Sequence, residues 1–345
     1  MEKLKRNNHY VSKFYLDNWA NGKNVLWRYN LLVPHENVRL WKDYPPNVLA
    51  RQRDLYTRVQ SDFDNDDIEQ WFDKNFEDLS AESISKAIAG KALTYEDWSN
   101  IINYLAMQDV RTPARLTEHL ERLHQSLPSI MENVLGKLEG KLRQRELIEP
   151  RKRTNREYGL VDLPMKVLKT PHENPDLINI GVEVTPGRGT WLHSINHLLE
   201  KTSKVLHTHK WTVMRPAEGV TWPTSDNPVI KLNYYSEGNY DFKGGWGSSG
   251  TEILFPISPQ HIIYTKIGEK PPTKGNRFNF KTSLLIRKFI IEAAHRMIIS
   301  SEIEDDVLKI RPRVVNAQMY AEEQEQWRDW HNAQSKVERY YENKG

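Results

Sequence analysis

The residue types able to do chemistry fall in a few short stretches. Between Val220 and Leu232, Pro223 and Pro228 bracket Thr224, Ser225, Asp226 and Asn227. Each proline fixes its own φ and pushes the preceding residue toward extended geometry, so a carboxylate, an amide and two hydroxyls ride on a backbone with little freedom. Such a knot suits a preorganised site, although Ser, Asp, Asn and Pro are also what any tight turn uses. His9, in Asn-Asn-His-Tyr-Val-Ser, stands just before a short helix starting near Val11 or Ser12. There an imidazole can act as acid, base or anion contact beside free backbone N–H groups, or simply hold structure.

Other stretches carry weaker signals. His193 and His197 have the i, i+4 spacing that chelates a metal from one helix face, but no Glu follows the first His as in zinc proteases. Asp62, Asp64 and Asp66 resemble the opening of a calcium loop, yet Asp67 stands where the sharp turn needs Gly. The run from Gly244 to Gly250 lacks the Gly-Lys-Ser/Thr ending of a phosphate loop and reads as a mobile flap or turn. Arg143, Arg145, Arg151, Lys152, Arg153 and Arg156 form a basic cluster, and 11 Trp with 15 Tyr offer faces on which bases stack. A solvated linker with ordinary aromatics is the alternative.

Composition narrows the classes. Cysteine is absent, which excludes disulfides, thiolate metal sites, Fe–S clusters and cysteine nucleophiles. The net charge of +3 does not by itself announce a nucleic-acid binder. No apolar run is long enough for a signal peptide or a membrane span, so a cytoplasmic protein without a membrane partner is expected.

The elements that must position these residues read as an α+β fold, a mainly helical middle unit packed against a mixed or antiparallel β region built from both chain ends. Residues 1–60 hold the short helix, a hairpin of Val25–Leu31 with Asn37–Trp41, and an extended Val48–Val59. Residues 61–148 are helical: a stripe from Ile68 to Ile88 ends at Gly90, Thr94 with Asp97 caps a second helix, and Leu116 to Leu142 mark a third, kinked at Pro128. Residues 149–190 form a basic connector with one strand near Ile178–Val184. Residues 191–313 add a helix over Trp191–Leu206, strands at Trp211–Arg215, Val229–Tyr235, Glu252–Phe255 and His261–Ile267, and a helix reaching Met297. Residues 314–345 are a polar helical tail anchored by Trp327 and Trp330, packed on the body or on a second copy.

Five pieces together resemble one bacterial family, the domain of unknown function 4238: Asn8–Leu16, Asp-Leu-Tyr-Thr at 54–57, Gln-Asp-Val-Arg-Thr-Pro at 108–113, Thr-Ser-Asp-Asn-Pro-Val at 224–229 and Phe-Pro-Ile-Ser-Pro at 255–259. Ser12 replaces the proline usual in the opening pattern, and is expected to cap the same helix. The resemblance implies no established activity, but it implies that His9, Gln108, Arg111, Asp226 and Asn227 belong to shared motifs. The expectation drawn from it is convergence on one solvent-reachable pocket. There His9 acts as acid or base, Asp226 orients it or holds Mg2+, Arg111 binds phosphate, and Gln108, Thr224, Ser225 and Asn227 position substrate. Arg151, Lys152 and Arg153 contact the nucleic acid. The expected function is a phosphodiesterase or nuclease acting on RNA or DNA, a toxin-like effector in anti-phage defence. The alternatives are a nucleic-acid-binding module without chemistry, or a ligand sensor or scaffold. In either case, a buried Arg–Asp pair bridging the two units would account for the same residues.

Overall fold

The computed structural model describes residues 4–60, 62–144, 165–174 and 177–342. The fold is mixed α+β, as expected. Its β region is drawn from both chain ends: Leu26–Asn30 lies between Trp41–Tyr44 and Met297–Ser300, and Thr224–Ser225 completes this antiparallel four-stranded sheet. Val314–Val315 adds a parallel pairing to Leu32–Val33. A second, five-stranded antiparallel sheet runs in the order Thr212–Met214, His261–Lys266, Glu252–Ser258, Ile230–Ser236, Asn239–Asp241. Its central strands are buried on both faces, one side contributing to each of two apolar cores.

The short helix α1 (Lys13–Asp17) follows Ser12. Ser12 occupies the N-cap position, but its hydroxyl makes no cap bond, because Arg111 and Tyr104 both donate to it. Asp67 and Glu69 favour the start of α2 (Asp67–Phe72), where the helix dipole stabilises negative charge. One π-helical turn, Asp73–Glu77, joins α2 to α3 (Asp78–Ile88), and Gly90 at φ 71° stops it. The expected capping box starts α4 (Tyr95–Val110): Asp97 N–H donates to Thr94 Oγ1 at 3.1 Å, and Thr94 N–H donates to the Asp97 carboxylate at 2.9 Å. α5 (Pro113–Arg143) continues through Pro128.

α6 (Arg188–Glu200) passes into a 3-10 segment, Thr202–Thr208. α7 (Phe280–Ala293) ends four residues before Met297, which belongs to a strand and not to the expected helix. After α8 (Val307–Ile310), α9 (Ala317–Glu342) packs on the body of the same chain. Other departures are local. The hairpin's second arm is Trp41–Tyr44, the Val48–Val59 stretch is broken into short pieces by left-handed Ala50 and Asp54, and Met165–Pro171 pairs with the expected Ile178–Val184.

One apolar core runs from Tyr10 and Trp19 through α4 and α6 to Trp330, so segments distant in sequence share it. A second lies between the five-stranded sheet and α7, around Trp222, Leu254 and Phe289. Among the described residues no helix is long and apolar enough to cross a membrane.

Candidate functional site

The end of α4 serves two polar centres, and successive residues of the Gln-Asp-Val-Arg-Thr-Pro motif divide between them. Gln108 and Arg111 face the N-terminal segment. Gln108 Nε2 donates to the Tyr10 carbonyl at 2.7 Å. Arg111 is fully buried; Nη1 lies 2.7 Å from Glu77, Nη2 donates to Ser12 Oγ at 2.7 Å, and the guanidinium covers Phe72. Its own carbonyl accepts from Tyr56 Oη at 2.5 Å.

His9 is half-buried on Asn7–His9, which pairs with Arg51–Arg53. Its Nε2 lies 3.2 Å from the Asn47 carbonyl, an acceptor, so the proton sits on Nε2 and Nδ1 carries the lone pair. Burial and the positive charges of Arg111 and Arg51 hold His9 below the ordinary histidine range. Around Arg111, Glu69 Oε2, Gln108 Oε1 and Arg111 Nε itself have no hydrogen-bond partner among the described residues. Burial pushes the Glu69 carboxyl up to about 8 despite Arg111.

Asp226 stands apart from this centre. It is 2 % exposed, and its two oxygens accept the backbone N–H groups of His295 at 2.8 Å and Arg296 at 2.7 Å. Thr224 Oγ1 bonds Tyr15 Oη at 2.8 Å, Ser225 Oγ accepts from Asn227 N–H at 3.1 Å, and Asn227 Nδ2 donates to the Ala293 carbonyl at 2.9 Å. The proline-bracketed knot is thus a dry clamp fixing the passage from α7 to Met297–Ser300. The expected cleft shared by His9, Arg111 and Asp226 is corrected accordingly. His9 and Arg111 are neighbours, but no hydrogen bond or ion pair joins any two of the three among the described residues, and Arg111 and Asp226 are closed to solvent. Nor does Asp226 fit Mg2+, since backbone amides occupy both its oxygens. Arg151, Lys152 and Arg153 lie outside the described residues.

Asp109, which follows Gln108 and lies on the motif's other face, opens a different site. It forms the closed end of a cavity of about 320 Å3 between α4, α5, α6 and the Gly244–Gly250 loop. Arg115 lies 2.8 Å from Asp109 Oδ1, Lys231 Nζ lies 2.9 Å from Oδ2, and Trp246 Nε1 donates to Oδ2 at 2.8 Å. The loop expected to be a mobile flap is therefore tied down by a buried indole. Burial alone would push the Asp109 carboxyl up, but Arg115 and Lys231 overcome it and hold it below the usual range. Lys231 is pushed below the ordinary lysine range by burial, with Asp109 opposing.

Arg115 also pairs with Glu118, half-exposed at the rim. Burial and Arg122 push His119 down to about 4, so it is neutral at pH 7. Trp191, Ile195 and Leu198 of α6 supply an apolar wall. Nothing in the sequence marked Arg115 or Lys231 as part of a site. Asp109 stood inside a recognised motif, and Trp246 inside the glycine-rich loop.

Among the described residues no three or more His, Asp or Glu side chains gather in a way able to hold a metal. His193 and His197 therefore have no third ligand among them.

The protein-family model for "Protein of unknown function (DUF4238)" matches residues 7–316, and the chain belongs to that family. The match ends just before α9. No curated protein and no solved structure matches the chain.

Proposed function

We propose that this protein recognises a phosphate-bearing ligand, a nucleotide or a segment of RNA or DNA, in the cavity that ends at Asp109. One observation carries the reading: Arg115, Arg122, Lys231 and Lys243 outnumber Asp109 and Glu118 around a recess that has one apolar wall, Trp191, Ile195 and Leu198. Cations near a closed, low-dielectric recess attract an anion more strongly than they would on an open surface, and the apolar wall suits a base or sugar. The cavity volume of about 320 Å3 falls at the lower end of ligand sites, which run from roughly 300 to 1,000 Å3. Thermal-shift screening of nucleoside mono- and diphosphates and short RNA and DNA strands tests it. The expected result is stabilisation by at least one of these and by no uncharged nucleoside.

A second reading, phosphodiester cleavage at the same cavity, is favoured by Glu118. Its carboxylate is half-exposed, and Arg115 holds it below the usual range against the effect of burial. It would take the proton from an attacking water, while Arg115 and Lys231 offset charge building on the phosphate. Labelled RNA and DNA incubated with the purified protein would then be cut, and Glu118→Gln would bind without cutting. Under this reading cleavage survives His9→Ala. A toxin-like role in anti-phage defence further requires that inducing the wild-type protein, but not Glu118→Gln, arrest growth.

A further inference from the structure

Two rim cations remain uncommitted. Asp109 spends its charge on Arg115 and Lys231, and Glu118 spends its charge on Arg115. Arg122 and Lys243, both exposed at the mouth, have no ion-pair partner among the described residues. The loop beside them packs too tightly on the protein for a side chain at either of its first two glycines. A Cβ on Gly244 would meet Thr251 Cγ2 at 2.5 Å and the Lys231 carbonyl at 3.0 Å, and one on Gly245 would meet Ser248 Oγ at 2.6 Å. The backbone N–H groups of Gly245 and Trp246 have no hydrogen-bond partner among the described residues. Successive free amides beside cations are a common anion-binding arrangement.

Counting formal charge, the four cations against two carboxylates leave an excess of two around the cavity. An internal phosphodiester carries one negative charge, whereas a terminal phosphate carries about −1.5 to −2 at pH 7. We infer that the cavity takes a terminal phosphomonoester, the phosphorylated end of a strand or a mononucleotide, in preference to an internal phosphodiester. The recess is closed by Asp109, Lys231 and Trp246, so an end can enter it where a continuous strand would have to leave again. The inference rests on the phosphate-binding reading above and narrows it.

The test uses the full chain and one short oligonucleotide sequence in four forms: 5′-phosphorylated, 3′-phosphorylated, unphosphorylated, and with the terminal phosphate blocked as its methyl ester. A fifth ligand is the matching mononucleotide. The inference expects at least one phosphorylated end to bind about tenfold or more tightly than the unphosphorylated strand, because charge-assisted bonds are lost with the phosphate. The methyl ester should lose most of that gain, and Arg122→Gln/Lys243→Gln should erase the difference. If the 5′ and 3′ ends differ, the tighter one identifies the end that is read. Equal binding of all strands, weakened in the double variant, overturns the terminal preference while leaving phosphate recognition standing. Binding of none, or binding indifferent to the double variant, overturns both.

Discussion

Asp109 and Lys231 meet at 2.9 Å at the inner end of the cavity, one from the last turn of α4 and the other from the strand Ile230–Ser236. That pair ties the helical middle to the five-stranded sheet, with Arg115 and Trp246 as its other partners. Removing the shared acceptor leaves two largely covered cations without it, so Asp109→Ala is expected to cost about 3–5 kcal/mol of stability. Lys231→Met leaves Asp109 with Arg115 and the indole, and is expected to cost only about 1–2 kcal/mol. Urea unfolding of both variants checks the ranking; a larger loss for Lys231→Met would show that Lys231, not Asp109, organises the cluster.

Asp226 makes stability depend on pH in an unusual sense. Burial pushes its carboxyl up to about 6, against the backbone amides that favour the charged form. An unfolded aspartate has a pKa of about 3.9, so between roughly pH 4 and 6 the folded state binds more proton at this group. Its contribution to stability is full below about 4, falls as pH rises through 6, and is flat above. The stability difference between wild type and Asp226→Asn should therefore shrink in wild type's disfavour from pH 4 to pH 6.5 and then level off. A difference that grows over that window would place the folded pKa below the unfolded one.

α9 lies beyond the family match, yet it is fastened to α6. Arg188 is fully buried, with Nε and Nη2 donating to Glu338 at 2.8 and 2.7 Å and Nη1 donating to the Asp54 carbonyl at 3.1 Å and to His331 Nδ1 at 3.2 Å. Glu338→Ala strands that guanidinium, and the expected loss is about 3–5 kcal/mol. Limited proteolysis should cut α9 faster in the variant. Unchanged stability and unchanged cleavage would mean that α9 is only loosely attached.

Gly244→Ala tests the loop. The added methyl collides with Thr251 and with the backbone of Lys231, so the loop must shift from its place beside the cavity. Binding of the preferred phosphate ligand should weaken by about tenfold, or ~1.4 kcal/mol, while far-UV dichroism stays that of the wild type. Full affinity in Gly244→Ala would remove the loop from the site.

Much of the fold was legible because it follows local rules. The Thr94–Asp97 box, the stop at Gly90 and the strand Ile178–Val184 sit where capping chemistry, glycine and apolar alternation put them. Met297–Ser300 was not legible, because its apolar run continues the periodicity of α7 and only pairing with Leu26–Asn30 makes it a strand. The candidate site was harder. Motif residues Arg111 and Asp226 proved to be dry connectors, since arginine and aspartate serve buried architecture and catalysis with the same hydrogen bonds. Lys231 and Arg115 gained their character only when the sheet and α5 closed on Asp109, an event with no local sequence signature.

The most direct test of the central claim is an equilibrium titration of a fluorescent oligonucleotide with wild-type protein and with Arg122→Gln/Lys243→Gln, at two salt concentrations. Saturable, salt-sensitive binding is expected in wild type and a loss of about tenfold or more in the double variant. Equal affinity for the two proteins would contradict it.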